Sequence, residues 1–277
     1  MPELPEVETV KETLKRKILN KTIKNVTIRY SGIIEYPSCD EFKKQIKNQT
    51  IHDITRLGKW LIFCLDDYYL LSHLRMEGKY FLKKESDEIT KHEHVIFSFS
   101  DHTDLRYQDT RKFGKMLLVS KDKLQEARSM KELGLEPWDK KLTPSYLKEK
   151  YKNKKLPIKS VILDQKIITG IGNIYADEIL FLSNISPLTK ASMLTDRDLS
   201  NIIDNTKKVL EKAIKQGGTT IRSYTSDLGV TGRFQNELYV HCRENEKCLN
   251  CGNIIVKIKV GGRGTYYCPF CQKEKEL

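Results

Sequence analysis

Four cysteines constrain this chain more than any other feature of its sequence. Cys248-x2-Cys251 is followed, after sixteen residues, by Cys268-x2-Cys271. Two such pairs can bring four thiolates to one tetrahedral Zn²⁺ and fill every position around it, which makes the metal structural. The segment between the pairs then has to double back. Residues 254–260 and 265–267 read as two strands of a hairpin turning at Gly261-Gly262-Arg263-Gly264, with Arg263 at the exposed tip as a natural phosphate contact. Cys242 is a near neighbour outside the spacing and is not read as a ligand. The cysteines number seven, with Cys39 and Cys64 isolated, and an odd count argues against a disulfide framework.

At 277 residues the chain suits one large or two medium domains with a sizeable core. No apolar run approaches the ~18 residues of a membrane span, and the N-terminus lacks a signal-peptide core, so a cytoplasmic protein is expected. Lys and Arg outnumber Asp and Glu by 49 to 37, a net charge of +12. A basic surface gains affinity for nucleic acid by releasing phosphate counterions, so the excess suggests a polyanion partner.

Along the chain, Val7, Val10, Leu14 and Ile18 recur at helical spacing in a Lys/Glu-rich background and predict an amphipathic helix of about 14 residues. Residues 22–120 change pattern. Ile23-Val26-Ile28-Tyr30, then residues 60–65, 68–74, 95–99 and 116–119, read as short strands of an antiparallel sandwich or barrel. A loop-like segment, Leu133-Gly134-Leu135-Glu136-Pro137, divides the chain. Beyond it the pattern is helical: Gly170-Ile171-Gly172 opens a helix over residues 173–182. A second carries Leu199, Ile202, Ile203, Thr206, Val209, Leu210, Ala213 and Ile214 on one face and stops at Gly217-Gly218. Residues 219–234 offer few core candidates, and a loop of that length in a compact domain is usually functional.

The opening stretch, Met1-Pro2-Glu3-Leu4-Pro5-Glu6-Val7-Glu8, has two readings. Pro and Glu both favour a first helical turn. With Met1 removed, however, Pro2 becomes a free secondary amine; a generic α-amino group has a pKa of roughly 8, leaving a useful fraction nucleophilic. Glu3 and Glu6 stand close by, and an amine beside a proton-moving carboxylate is the minimum kit for imine chemistry on a sugar. The glycines of Gly170-Ile171-Gly172-Asn173 either make a tight turn or let an anion approach the helix start. Met76, Arg111 and Phe113 are ordinary core and surface residues in isolation. As a set, a flexible apolar group, a cation and an aromatic ring could refill the gap left by a base drawn out of a duplex.

Taken together, these motifs resemble the formamidopyrimidine-DNA glycosylase family. The match is carried by Pro2-Glu3-Leu4-Pro5-Glu6-Val7-Glu8-Thr9, Gly58-Lys59-Trp60, residues 73–78, Lys91-His92-Glu93-His94, Arg111-Lys112-Phe113-Gly114, residues 133–137, Leu163-Asp164-Gln165, residues 170–178 and residues 261–271. The resemblance implies an α+β protein. An N-terminal β-sandwich flanked by helices (1–132) would precede a helix-two-turn-helix DNA-binding domain (133–238) and a zinc-binding β-hairpin (239–277), with DNA in the cleft between sandwich and helical domain. It further implies a monomeric, cytoplasmic and nucleoid-associated repair enzyme acting on damaged double-stranded DNA and carrying one structural Zn²⁺ on Cys248, Cys251, Cys268 and Cys271.

Carried over position by position, Pro2 attacks the anomeric carbon of a flipped 8-oxoguanine or ring-opened purine nucleotide, and Glu3 handles protons as the sugar opens to a Schiff base. Glu6 supports the amine. Lys59 is linked to β-elimination and Arg263 to δ-elimination and phosphate grip. His92, Arg111, Lys154 and Asn173 match DNA contacts, Met76, Arg111 and Phe113 the wedge, and Glu77, Thr219, Ile221, Arg222 and Tyr224 the lesion-reading region. His241-Cys242 departs from the Tyr-Gly common among relatives. Two other readings compete: an endonuclease VIII-type glycosylase for oxidised pyrimidines, and a non-catalytic zinc-ribbon DNA-binding protein. Leu4 and the complete Met76/Arg111/Phe113 set favour the purine branch.

Overall fold

A computed structural model describes residues 1–219 and 232–274. The chain divides into two compact units, residues 1–131 with 217–233, and residues 132–216 with 234–277.

The first unit begins with helix α1 (Leu4–Ile18), followed by β1 (Ile23–Ile28), β2 (Ile34–Tyr36), α2 (Cys39–Ile46), β3 (Asp53–Leu57), β4 (Trp60–Cys64), β5 (Tyr68–His73), β6 (Lys79–Lys84), β7 (Glu93–Phe99), β8 (Thr103–Gln108), β9 (Lys115–Ser120) and the short α3 (Arg128–Lys131). The strands form two sheets, ordered β1-β7-β8-β6 and β2-β9-β5-β4-β3. All pairs are antiparallel except β2 with β9. The inner faces meet through Val26, Val95, Phe97, Leu105 and Tyr107 from one sheet and Ile54, Leu61, Phe63, Leu70 and Leu118 from the other. This is the expected sandwich, its alternating residues filling one core.

Helix α1 lies against β3 and β4. Its predicted stripe of Val7, Val10, Leu14 and Ile18 is buried in the same core. Each such aliphatic side chain contributes roughly 1.5–3 kcal/mol.

Strands β2, β3, β6 and β8 went unread in the sequence pattern. The reason is plainest in β8, where the guanidinium of Arg106 is wholly buried. It donates to Asp104 Oδ2, Glu93 Oε2 and the carbonyls of Lys84, Asp87 and Glu88 at 2.8–3.2 Å. A paired, fully hydrogen-bonded cation can occupy an interior position that an apolar template rejects.

The second unit carries α4 (Pro144–Tyr151), α5 (Ile158–Val161), α6 (Asn173–Leu182), α7 (Asp196–Lys215) and a hairpin of β10 (Val256–Val260) and β11 (Arg263–Tyr267). Helix α7 starts on a capping box in which Thr195 N–H donates to Asp198 Oδ2 and Asp198 N–H to Thr195 Oγ1. Gln216 caps its C-terminus, and Gly217 and Gly218 follow with φ of +74° and +78°. Its expected face is buried except for Ile214, which is half-buried. Among the described residues no helix is long and apolar enough to cross a membrane.

Candidate functional site

The first unit presents the start of α1. Pro2 is buried, and Glu3, the N-cap residue, is 1% exposed. The Glu3 N–H donates to Glu6 Oε2 at 2.9 Å. The other oxygen of Glu6 accepts the backbone N–H of Thr219 at 2.8 Å and its hydroxyl at 3.1 Å. One carboxylate thus fixes the backbone beside Pro2 and anchors the chain as it leaves Gly218. Space there is tight: a Cβ at Gly218 would lie 2.6 Å from Glu6 Oε1, and one at Gly232 would lie 2.3 Å from the Gly218 carbonyl. The two glycines let the ends of the intervening segment approach each other. Thr219 belongs to this cluster, whereas Ile221, Arg222 and Tyr224 lie outside the described residues.

Lys59 occupies the two-residue turn between β3 and β4, behind Gly58 at φ +57°, and is 6% exposed. His73, at the end of β5, pairs opposite Trp60 and meets its ring edge-on at 4.8 Å. Burial, reinforced by the positive charges of Arg75 and Lys59, pulls the His73 pKa down to about 3. Its imidazole is therefore neutral, and Nδ1 accepts the Arg75 N–H at 3.0 Å. That bond shapes the turn carrying Met76 and Glu77, where Arg75 adopts φ +52°.

A second turn, between β8 and β9, carries Arg111 and Phe113. Asp109 shapes it by accepting the N–H groups of Arg111 at 2.9 Å and Gly114 at 2.8 Å. The Arg111 guanidinium stacks over the Phe113 ring at 4.9 Å, and Phe113 is 49% exposed. Both turns converge on the Tyr107 hydroxyl: a Cβ at Gly78 would lie 2.3 Å from it, and one at Gly114 only 1.7 Å. Thr110 Oγ1 also donates to Glu77 Oε2 at 2.8 Å. The Met76 and Phe113 turns are in this way joined as one edge. His92 is half-buried nearby, its carbonyl accepting the Asp109 N–H at 3.0 Å.

In the second unit, extended Gly172 precedes α6 without a side-chain cap. Asn173 is tied to the hairpin, its Nδ2 donating to the Gly264 carbonyl at 2.9 Å. Lys154 is partly exposed, with Nζ 3.6 Å from Asp164 Oδ2. Five residues on, Lys159 is fully buried and donates to Asp177 Oδ1 at 2.5 Å and the Asn173 carbonyl at 2.8 Å. Sequence reasoning passed over Lys159, Asp177 and Glu178, because nothing in an apolar helix pattern signals a buried ion pair. Glu178 accepts three consecutive N–H groups, from Tyr239, Val240 and His241, at 2.7–3.0 Å.

The hairpin turns more tightly than its four-residue glycine-rich stretch suggests. Val260 pairs directly with Arg263, leaving Gly261 and Gly262 (φ +54° and +79°) as a two-residue turn. Exposed Arg263 is the first residue of β11, beside the tip. Behind it the sulfurs of Cys248, Cys251, Cys268 and Cys271 all lie within 4.8 Å of one another, with Cys248–Cys271 at 3.9 Å and Cys251–Cys268 at 3.5 Å. Tetrahedral Zn–S bonds of about 2.3 Å require S···S separations of about 3.8 Å, so the four fit one Zn²⁺. Asn250 and Asn253 point amide N–H groups at Cys271 and Cys251, each at 3.4 Å, as expected of groups supporting thiolate ligands.

A sandwich whose first helix is locked at its N-terminus, together with a helical unit ending in a four-cysteine hairpin, defines the helix-two-turn-helix, zinc-finger class. Residues 1–116 match the formamidopyrimidine-DNA glycosylase N-terminal domain, residues 133–225 the H2TH domain of that enzyme, and residues 245–273 the zinc finger found in FPG and IleRS. The chain belongs to the formamidopyrimidine-DNA glycosylase family. It is 47% identical to the formamidopyrimidine-DNA glycosylase of Oceanobacillus iheyensis, covering 100% of this chain and 99% of the relative, and 45% identical to that of Bacillus subtilis, covering 99% and 100%. A Lactococcus lactis FPG variant solved with Fapy-dG-containing DNA is similar at a TM-score of 0.93 and 40% identity, covering 99% of this chain and 100% of that one. The Lactococcus lactis Fpg complex with abasic-site DNA gives the same values. The zinc finger and its four clustered cysteines take one structural Zn²⁺.

Proposed function

We propose that this protein is a DNA glycosylase with AP lyase activity that removes oxidised purines, 8-oxoguanine and formamidopyrimidines, from duplex DNA. The observation that carries the reading is the start of α1, where Glu6 fixes the Glu3 backbone directly behind Pro2. Relatives matching over their full length, and similar structures holding lesion-bearing DNA, support it.

In this mechanism the lesion is flipped from the duplex at a cost of roughly a few kcal/mol. Met76, Arg111 and Phe113 refill the vacated stack. Once Met1 is removed, the Pro2 nitrogen attacks the anomeric carbon and the base departs. Glu3 passes a proton to the opening sugar, whose carbon becomes a Schiff base on Pro2. β-Elimination, served by Lys59, releases the 3′ phosphate; δ-elimination, served by Arg263, releases the 5′ phosphate and leaves a one-nucleotide gap. His92, Lys154 and Asn173 grip the DNA backbone, and Glu77 with residues 219–224 reads the base. Zn²⁺ braces the hairpin that presents Arg263. The division into residues 1–132, 133–238 and 239–277, the monomeric state and a cytoplasmic, nucleoid-associated location complete the proposal.

Borohydride trapping tests the nucleophile. A covalent protein–DNA adduct is expected with 8-oxoguanine:cytosine duplex, and it should vanish when Pro2 is replaced or Met1 retained. An unchanged adduct in a Pro2→Gly, Glu3→Gln double variant sinks the assignment. A second reading comes from another Lactococcus lactis complex, which holds DNA containing an oxidised pyrimidine. Faster excision of thymine glycol than of 8-oxoguanine would move this chain to the pyrimidine class.

A further inference from the structure

The zinc site holds only one end of the hairpin. Arg263 lies five residues before Cys268, roughly 17 Å along an extended strand. An isolated two-stranded hairpin is only marginally stable in water, so the end that carries Arg263 depends on what it rests against. Contacts within the same unit supply that support. At the turn, the Gly261 backbone lies so close to α5 that a Cβ there would stand 2.4 Å from Ser160 Oγ and 3.5 Å from Ser160 Cβ. One residue past Arg263, the Gly264 carbonyl accepts Asn173 Nδ2–H from the start of α6 at 2.9 Å. Further along β11, Tyr266 meets the His241 ring edge-on at 4.9 Å. His241 is itself held from behind. Its Nδ1–H donates to Asp177 Oδ2 at 2.7 Å, and its backbone N–H donates to Glu178 Oε1 at 2.9 Å. The second Asp177 oxygen accepts from Lys159 of α5 at 2.5 Å. His241, Asp177 and Lys159 are all buried, which makes this chain of bonds stronger than a surface ion pair.

We propose that Ser160 and His241 are positioning residues for Arg263: they hold the turn and the second strand of the hairpin against α5 and α6, and so set how often the reaction runs on from β- to δ-elimination. The inference rests on the reading of Arg263 under Proposed function. δ-Elimination asks more of the hairpin than the earlier steps do. C4′ of the sugar gives up a proton to water, a C4′=C5′ double bond forms, and the C5′–O bond breaks with its electron pair leaving on the phosphate. A guanidinium supports that departing charge only from hydrogen-bond distance. Attack on the sugar and β-elimination draw instead on Pro2, Glu3 and Lys59 of the first unit, so a displaced hairpin should spare them. Ser160 and His241 act through the backbone they support.

The test uses full-length, zinc-loaded protein in saturating excess over 5′-labelled 8-oxoguanine:cytosine duplex. Borohydride trapping reports the Schiff base, and a sequencing gel separates the β-product, with its unsaturated aldehyde end, from the δ-product, with its 3′-phosphate end. Ser160→Leu pushes a larger side chain into the Gly261 turn, and His241→Leu removes the bond to Asp177. Each should lower the δ:β product ratio roughly tenfold with the trapping rate unchanged, since a displacement of about 1 Å can cost that much or more. Ser160→Ala, which keeps the close approach, and His241→Asn, whose amide supplies a donor near the place of Nδ1, should retain the wild-type ratio. Zinc content and urea unfolding show which variants are folded; if His241→Leu is not, the Ser160 pair decides. An unchanged ratio in either folded leucine variant, or trapping that falls in step with the ratio, would overturn the proposal. Arg263→Ala is the control on the underlying reading. Loss of its δ-product with trapping retained upholds that reading, whereas an unchanged ratio removes it and the inference with it.

Discussion

Glu6 and Thr219 are 213 residues apart in sequence, yet one oxygen of the Glu6 carboxylate accepts both the backbone N–H and the hydroxyl of Thr219. The other oxygen accepts the Glu3 N–H, so the positions of Glu3 and of the segment leaving Gly218 depend on one buried carboxyl group. Glu6→Ala should leave buried donors unpaired and cost about 2–4 kcal/mol in chemical unfolding, since hydrogen bonds to charged groups are worth about 1.5–3 kcal/mol each. Trapping by Pro2 should slow with it. Wild-type stability in Glu6→Ala would show that the bridge carries no load.

Gly218→Ala probes the same contact from the other side. Its Cβ would meet Glu6 Oε1 at 2.6 Å on a backbone at φ +78°. A loss of about 1–3 kcal/mol is expected from the combined strain and crowding, measured by urea unfolding. Gly262→Ala, also at positive φ but in open space, should cost less.

The Tyr107 hydroxyl sets the spacing of the two turns that carry Met76 and Phe113. Gly114→Ala should destabilise the sandwich by about 2–3 kcal/mol, as overpacking of a close-packed site does, and should weaken binding to lesion-containing duplex. Adding Tyr107→Phe should restore only part of the loss, because the ring carbon Cζ would still lie 2.7 Å from the new methyl. A double-mutant cycle with no coupling would refute this account.

His73 provides a pH signature. Its pKa falls from 6.5 unfolded to about 3 folded, so the unfolded state binds the proton first as pH drops. The neutral ring's contribution is complete above pH 6.5 and is lost progressively as pH falls toward 3. It amounts to a few kcal/mol, at about 1.4 kcal/mol for each unit. His73→Gln should flatten stability between pH 6.5 and 4, and the imidazole carbon-bound proton should not titrate by NMR above pH 4.

Salt dependence reports on the cationic side chains. Replacing Lys154 by Ala should reduce the slope of log affinity against log salt by about one unit if its ammonium neutralises a phosphate. The partner it leaves is only a partly exposed ion pair with Asp164, of the kind worth about 0–1 kcal/mol, so stability should hardly change. An unchanged slope removes Lys154 from the contacts.

What the sequence determined by itself was local chemistry. Cysteine spacing sufficed for the zinc hairpin, because metal geometry dictates the spacing. The stripe of Val7, Val10, Leu14 and Ile18 sufficed for α1, and the Gly217-Gly218 stop for α7, because periodicity and backbone freedom are written in consecutive residues. Only the tertiary structure decided where polar groups were paired. Arg106 within the sandwich, Lys159 on Asp177, Glu178 beneath three backbone amides and Glu6 on Thr219 are acceptable inside a protein because distant partners replace their water. Apart from Asp104, two residues from Arg106, no window of neighbouring residues contains those partners. The N-terminal stretch belongs to both levels. Its Pro-Glu spelling marks a helix start, while the bond from Glu6 to Thr219 joins that start to a segment more than two hundred residues away.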